Sequence, residues 1–401
     1  MLVKESLADR SPSILKHDLN EYFPELLKFN STSELEKSEV YRKIKPTVDR
    51  ILNAIVQENF ADSILASNAV DRVRALAWNI ERGIALDAII EAFMQHPDLK
   101  NRDVLLLTEL DYGMARSNNR FVARELASRL RMNYAFAPVY IALQKGSGVE
   151  KFVDGENKES IHGLALFSRY PMRNIHAISL PNGKDKMKGA EKRLGSLRAL
   201  IADIDHPIGR FRAVTTHLDA HCSRKHRELQ MRIILNHLEN LQPIPTLIGG
   251  DWNTTTFNSQ NAFRAILGYW RRVFMGIRNV AMNHFPYPDR YFERGLFREL
   301  EQRGYVYKEL NEYGVGTLHY DIKSVEKNTN LRDWVPAWCF PFIFWAAGKV
   351  GGRVSARLDW FAGKNIYVVD KPKTIHELRD KDGNALSDHD PITLDFVPSA
   401  Q

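Results

Sequence analysis

The chain has 401 residues, 44% of them hydrophobic and 26% charged. These are ordinary globular values, and they exclude a disordered or collagen-like chain. The formal net charge of +7 favours anionic partners: nucleic acid, phosphorylated small molecules or an anionic lipid surface.

The N-terminus, MLVKESLADRSPSILKHDL, is charged throughout and has no apolar run, so no signal peptide is expected. Residues 1–70 are predicted to be a helical extension. Ser33-x-x-Glu36 has the spacing of a capping box, and Val48, Ile51, Leu52, Ile55 and Val56 recur at helical intervals. From residue 71 to 401 short apolar runs alternate with helical stretches. Strands are predicted at Val73–Trp78, Asp103–Thr108, Leu164–Ser168, Leu197–Ile204, Phe211–Thr216 and Pro245–Gly249, then at Leu358–Ala362, Ile366–Val369 and Ile392–Val397. Helices are predicted at Leu86–Met94, Phe121–Leu130 and Arg224–Leu241. Many strands with several long helices imply a layered α/β fold, two sheets covered by helices.

One event repeats along this pattern: an apolar strand ends and a carboxylate, amide or histidine follows at once. Asn79 and Glu81 follow VRALAW, Glu109 follows DVLLLT, His217 and Asp219 follow FRAVTT, and Asp251 and Asn253 follow PTLIGG. Asp359 lies inside RLDWFAG, and Asp388 and His389 stand in LSDHDPI. Singly, each has a simpler explanation: a turn, a helix cap or a hydrogen-bonded core histidine. A carboxylate inside an apolar run is harder to dismiss, because burial demands a partner. Recurrence at several strand ends points to one site, since α/β enzymes build theirs on such loops.

In order and wording, WNIERG, LLLTELD, HGLALFSRYP, TTHLDAH, IGGDWNTT, RLDWFAG and LSDHDPI resemble the endonuclease/exonuclease/phosphatase superfamily. Its members include deoxyribonuclease I, apurinic endonucleases, deadenylases, inositol-polyphosphate phosphatases and neutral sphingomyelinases. The resemblance spans about four fifths of the chain and implies a four-layered α/β sandwich. It also implies a phosphoester hydrolase using Mg²⁺, with Mn²⁺ as a substitute. Chemistry agrees: an anionic phosphoester repels a nucleophile, and a hard cation on oxygen ligands neutralises it. Asn79, Glu109 and Asp388 are the candidate metal ligands, Glu109 resembling the family's principal metal carboxylate. Asp251 matches the residue that orients or deprotonates the attacking water, and Asn253 one that holds a phosphoryl oxygen. His389 matches a histidine that contacts the phosphate or moves a proton, Asp359 its carboxylate partner, and His217 a second histidine near the phosphate. Glu81 has an uncertain role. Phe167–Pro171 is read as structural. Arg198 matches a frequent family arginine, and an exposed strand charge explains it equally well.

Two insertions depart from the pattern. Near 258–300, Arg264, Arg271, Arg272, Arg278, Arg290, Arg294 and Arg298 interleave with Trp270, Phe274, Tyr287, Tyr291 and Phe292. Such a mixture binds single strands by charge and stacking, or is simply a solvated basic helix face. Near 321–357 the run WVPAWCFPFIFWAAGKVGG is aromatic, and Pro336 and Pro341 break it. It is expected to be a buried lid, with a membrane-contacting patch as the other reading. Cys222 and Cys339 lack metal-ligand spacing, which suits a reducing, cytoplasmic setting. A phosphodiesterase acting on nucleic acid is the favoured function. A hydrolase of lipid headgroups or small phosphoesters is the alternative. A non-catalytic binding protein on this fold is remote, because each core position is filled.

Overall fold

In the computed structural model the described residues are 10–61, 71–255, 262–321 and 353–399, with the isolated residues 345, 348 and 349. Among them the chain runs α1 (Phe23–Leu26), α2 (Thr32–Lys37), α3 (Glu39–Asn53), β1 (Val56–Glu58), β2 (Val73–Arg82), α4 (Leu86–Gln95), β3 (Val104–Tyr112), α5 (Val122–Leu130), β4 (Asn133–Ala142), β5 (Ile161–Ser168), β6 (Met172–Ser179) and β7 (Arg193–Gly195). It continues through β8 (Arg198–His206), β9 (Gly209–Thr216), α6 (Arg224–Glu239), β10 (Thr246–Asp251), α7 (Ala262–Phe274), α8 (Ile277–Asn283), α9 (Arg294–Gln302), β11 (Leu318–Asp321), β12 (Arg353–Ala356), β13 (Asp359–Lys364), β14 (Ile366–Thr374) and β15 (Ile392–Pro398).

The pleat of β2 accounts for the layering. Val73, Ala75 and Ala77 enter the core shared with the second sheet, while Leu76, Trp78 and Ile80 enter the core under the helices. Successive side chains point to opposite faces, so a strand apolar at every position is buried on both. β3 behaves alike, with Val104 and Leu106 on one side and Leu105 and Leu107 on the other. The larger sheet has the order β1-β4-β5-β3-β2-β15-β14, with β7 on β4, and the smaller has β13-β10-β9-β8-β6. Ile44, Val48 and Ile51 of α3, Ile89 and Phe93 of α4 and Leu126 of α5 cover the first sheet. Met231, Ile234 and Leu235 of α6 and Leu296, Phe297 and Leu300 of α9 join the core of the second. The result is the expected four-layered sandwich: helices, sheet, sheet, helices.

Several details correct the sequence reading. Residues 10–61 are not wholly helical, because Val56–Glu58 pairs antiparallel with β4 and adds an edge strand. The α2 cap is Ser31, whose side chain accepts from the Glu34 amide; Ser33 lies inside the helix. β4 was not predicted. It contains Pro138, tolerated where its pairing with β5 shifts between Pro138 and Tyr140. Arg198 is neither exposed nor at the site. It is buried and donates to the carbonyls of Leu52, Ala54 and Pro138 at 2.8, 3.3 and 3.3 Å, pinning the end of α3 to the sheet. Of the apolar run near 334–348, most lies outside the described residues; Trp345 is described and exposed. No helix among the described residues is long and apolar enough to cross a membrane.

Candidate active site

The central strands of both sheets end at one edge, and there the ladders are deliberately irregular. Pairing of β2 with β3 slips between Asn79 and Arg82, and pairing of β3 with β5 slips between Leu107 and Leu110. Such bulges re-aim side chains. They place Glu81, Arg82 and Glu109 at φ of +45°, +64° and +57°, a region that costs a non-glycine residue about 1 kcal/mol or more. In the second sheet β10 ends on Asp251, which faces Asp359 across the ladder with β13. Gly250 has φ +129°, and a Cβ there would lie 2.2 Å from the Thr216 carbonyl oxygen, so glycine is required for β10 to pass β9. Asn253 follows at φ +49°.

These ends converge. Asn79 Nδ2 donates to Glu109 Oε1 and to Asp251 Oδ2, both at 3.1 Å, joining the two sheets. Asn79 Oδ1 accepts the Glu81 amide at 3.0 Å, and Glu81 Oε2 accepts the Asp388 amide at 3.0 Å. Asp251 Oδ1 accepts the Asn253 amide at 2.8 Å. Its Oδ2 lies 3.2 Å from Asn253 Nδ2, 3.4 Å from His217 Nε2 and 3.8 Å from His389 Nε2. His389 Nδ1 bonds Asp359 Oδ2 at 2.7 Å, which leaves Nε2 directed at Asp251. All eight predicted site residues therefore belong to one linked cluster.

Charge is packed unevenly here. Burial alone would raise Glu109, but Arg82, His217 and His162 outweigh it and hold the carboxyl far below its usual range. Burial and the neighbouring Asp388 push Glu81 up to about 8. Asp388 is also raised, by burial and by Glu109. Burial opposes charge on His389, yet Asp359 and Asp251 raise it well above the ordinary imidazole value. Arg82 lies 3.9 Å from both Glu81 and Glu109 and 3.2 Å from Glu150. One guanidinium thus serves several buried carboxylates. Repelling carboxylates of this kind suit a hard divalent cation, so Glu81, Glu109 and Asp388 are the candidate ligands, and their oxygens would have to draw together to share one ion. Asn79, as placed, presents its NH₂ to the carboxylates; ligation through Oδ1 requires the amide to turn over and release the Glu81 amide. Among the described residues, the acidic and histidine atoms within 4.8 Å of one another at this edge belong to Asp251, Asp359 and His389, not to Glu109 and Asp388.

Other positioning groups escaped the sequence reading. Thr317 Oγ1 donates to Asp359 Oδ2 at 2.6 Å and accepts the amides of Leu358 and Asp359 at 3.1 Å. Ser387 Oγ donates to the Asn79 carbonyl at 2.7 Å and accepts the His389 amide at 3.1 Å. Beneath Glu109, buried Asp111 holds His162 Nδ1 at 2.8 Å and Arg116 Nε at 2.7 Å. The order -SDH- and the Asp two residues after Glu109 were visible signals; Thr317 had none. Ser168 and Arg169 serve structure, accepting the Tyr170 amide and donating to the Arg102 carbonyl.

The insertion near 262–300 is partly structural. Arg294 pairs with Glu301, Arg290 stacks 3.7 Å from the centroid of Tyr287, and Arg272 is buried. Between α7 and the strand-end loops is a cleft of ≈ 710 Å³, lined by Arg224, Thr255, Arg264, Trp270, Arg271 and Phe292 among others. Thr255 donates its amide to the Asn253 carbonyl at 2.6 Å, so the cleft borders the site.

Residues 76–389, more than three quarters of the chain, match the Endonuclease/Exonuclease/phosphatase family, and the chain belongs to it. Members of this family are typically hydrolases of phosphoesters. Solved structures give no nearer definition. An endonuclease/exonuclease/phosphatase from Beutenbergia cavernae DSM 12333 is 15% identical, with TM-score 0.45, 82% of this chain and 72% of that one covered. The human Nocturnin catalytic domain with bound sulfate anion is 17% identical, with TM-score 0.45 and coverage of 86% and 96%. TDP2 from D. rerio, complexed with single strand DNA product, is 15% identical, with TM-score 0.44 and coverage of 82% and 99%. No curated protein matches the chain.

Proposed function

We propose that the protein is a Mg²⁺-dependent phosphodiesterase acting on nucleic acid, with Mn²⁺ able to substitute. The reading rests on one observation: side chains from strand ends of both sheets meet at Asp251 Oδ2, beside a crowded set of carboxylates. Glu109, Asp388 and Glu81, with Asn79 after its amide turns, would hold the cation. When bound, it neutralises phosphoryl charge and polarises the ester. The remaining steps fall to this chain's own groups. Asp251 orients the attacking water and takes its proton. Asn253 and His217 hold the phosphoryl oxygens. His389, fixed through Nδ1 by Asp359, directs its Nε2 proton at the phosphoryl oxygens, where negative charge gathers as the water's P–O bond forms and the ester P–O bond breaks, and solvent protonates the released alkoxide. Residues 71–401 act as the catalytic unit, with 1–70 as its support.

The basic, aromatic cleft beside Asn253 supports nucleic acid, since arginines pair with phosphates and the exposed Trp270 offers a stacking face. A lipid headgroup is the second reading. It is favoured by Phe263, Leu267, Trp270 and Phe274, which recur on one side of α7 and are all exposed. Hydrolysis of supercoiled plasmid, single-stranded RNA, sphingomyelin and bis-nitrophenyl phosphate, each with and without Mg²⁺, decides between them. EDTA should abolish turnover, and Mg²⁺ or Mn²⁺ should restore it. Full activity in metal-free buffer would sink the metal assignment, and cleavage confined to sphingomyelin would overturn the nucleic-acid reading.

A further inference from the structure

A second cluster of ligating atoms lies beside the first and is more exposed. His319 stands on β11, His376 follows β14, and Asp390 follows His389. His319 Nε2 is 2.7 Å and His376 Nδ1 is 2.6 Å from the same oxygen, Asp390 Oδ2. The ligand atoms of all three lie within 4.8 Å of one another. Side-chain exposures of 17%, 38% and 15% leave the group open to an ion from solvent. The other nitrogen of His319, Nδ1, bonds Ser355 Oγ on β12 at 2.6 Å. Like the outer partners of metal-bound imidazoles, it fixes the tautomer and aims the free nitrogen.

We propose that His319, His376 and Asp390 form a metal site for a borderline divalent ion of the Zn²⁺ class, which clamps β11 and β12 to the loop carrying His389. The proposal does not depend on the phosphoester reading. Two imidazoles and one carboxylate favour Zn²⁺ and its neighbours over Mg²⁺, which prefers oxygen ligands. A tetrahedral ion with bonds of about 2.0–2.1 Å places its ligand atoms about 3.3 Å apart. The shared contacts at Asp390 Oδ2 would therefore open by roughly 0.6 Å, a shift that half-exposed His376 can absorb. On binding, any ring proton directed at Asp390 is released to solvent.

Position gives the clamp its consequence. Residues 322–352 are bracketed in sequence by β11 and β12. β11 already touches the catalytic loop: Leu318 bridges His389, and the Asp390 amide donates to the Thr317 carbonyl at 2.7 Å. Thr317 in turn holds Asp359. An ion on His319, His376 and Asp390 would fasten this seam from the solvent side, one residue from His389.

The test uses the full chain, stripped of metal and returned to excess Mg²⁺ so that oxygen-ligand sites are filled. Co²⁺ is then titrated and followed by visible absorption. The expected result is stoichiometric binding at micromolar Co²⁺, with the intense bands of four- or five-coordinate cobalt, displaced by Zn²⁺. His376→Ala should weaken binding at least tenfold. His376→Cys should retain the ion and add a near-ultraviolet thiolate-to-cobalt band, which keeps the test decisive if the alanine variant folds poorly. Zn²⁺ should slow hydrogen exchange at the Asp390 amide in the parent and not in His376→Ala. Absence of micromolar binding, an unchanged His376→Ala titration, a cysteine variant without the new band, or an Asp390 amide indifferent to Zn²⁺ would each overturn the proposal.

Discussion

Asp359→Asn tests how His389 is made useful. Asp359 is fully buried, and its Oδ2 receives both His389 Nδ1 at 2.7 Å and Thr317 Oγ1 at 2.6 Å. Asparagine fits the same volume. Its oxygen in the Oδ2 position can keep both donors, but without a charge behind the bond to Nδ1, and its NH₂ takes the Oδ1 position. A hydrogen bond to a charged group is worth about 1.5–3 kcal/mol, so kcat should fall by roughly 10- to 150-fold. A pH shift accompanies the loss. In the parent, Asp359 and Asp251 raise His389 well above 6.5, so an active imidazolium persists as pH rises. In the variant its pKa drops toward the ordinary value, and activity is lost at lower pH. Steady-state hydrolysis of the best substrate between about pH 5 and 9 measures both effects. A variant within twofold of the parent across that range would refute the reasoning.

Arg198→Met should leave three buried carbonyls without their donor and cost about 2–4 kcal/mol in urea unfolding, with kcat per folded molecule unchanged; a loss of kcat at full stability would contradict its role as a pin. Arg227 and Glu293 form a fully buried pair joining α6 to the start of α9. Glu293→Ala should destabilise by about 3–5 kcal/mol, and Arg227→Met with Glu293→Leu should recover most of it; equal loss in both would show that packing, not an unpaired charge, sets the cost. Glu81→Gln should make the metal-free protein more stable at pH 9 by about 2 kcal/mol, a gain that shrinks in Mg²⁺. Thermal or urea melts in EDTA and in Mg²⁺ compare the two, and a less stable variant in EDTA would reverse the electrostatic argument.

Much of this was legible in the sequence, for physical reasons that also explain the gaps. β2, β3 and β10 are apolar at nearly every position because both faces are covered, and such runs announce themselves. β4 is equally buried, yet Pro138 inside it argued against a strand. β6 is largely exposed at the sheet edge, so no apolar pattern marked it. Most site residues stood out because each follows a run that ends, and Asp359 because it interrupts one. Thr317, Ser387 and Arg82 did not, because what they do depends on partners that only the fold brings near; Thr317 and Asp359 are 42 residues apart. Arg198 shows the opposite failure. A match to a frequent arginine suggested substrate, whereas its partners are carbonyls from two distant segments. The boundary of an N-terminal helical region was blurred because Val56–Glu58 joins the sheet it was expected only to cover.

The sign expected for Glu81→Gln follows from how the edge is built. A free glutamate titrates near 4.5, whereas Glu81 in the fold does so at about 8. Between those values the folded chain binds the proton more tightly than the unfolded one, so stability falls as pH rises through the window. The full shift corresponds to at most about 5 kcal/mol at 1.36 kcal/mol per unit; partial exposure of the side chain, 28%, reduces that to roughly 2. Glutamine keeps an oxygen for the Asp388 amide and removes the cost. Arg82 and the Asp388 amide favour this carboxylate, but burial and Asp388 outweigh them, so the metal-free fold penalises it on balance; the left-handed backbone at Glu81, Arg82 and Glu109 is a second cost. The surrounding core, with Trp78 and Leu107 fully buried on the same strands, holds both strains in place. On the proposed function, a cation at this edge would lower the Glu81 pKa again and turn the repulsion among Glu81, Glu109 and Asp388 into ligation, so the stability gain of glutamine should shrink in Mg²⁺.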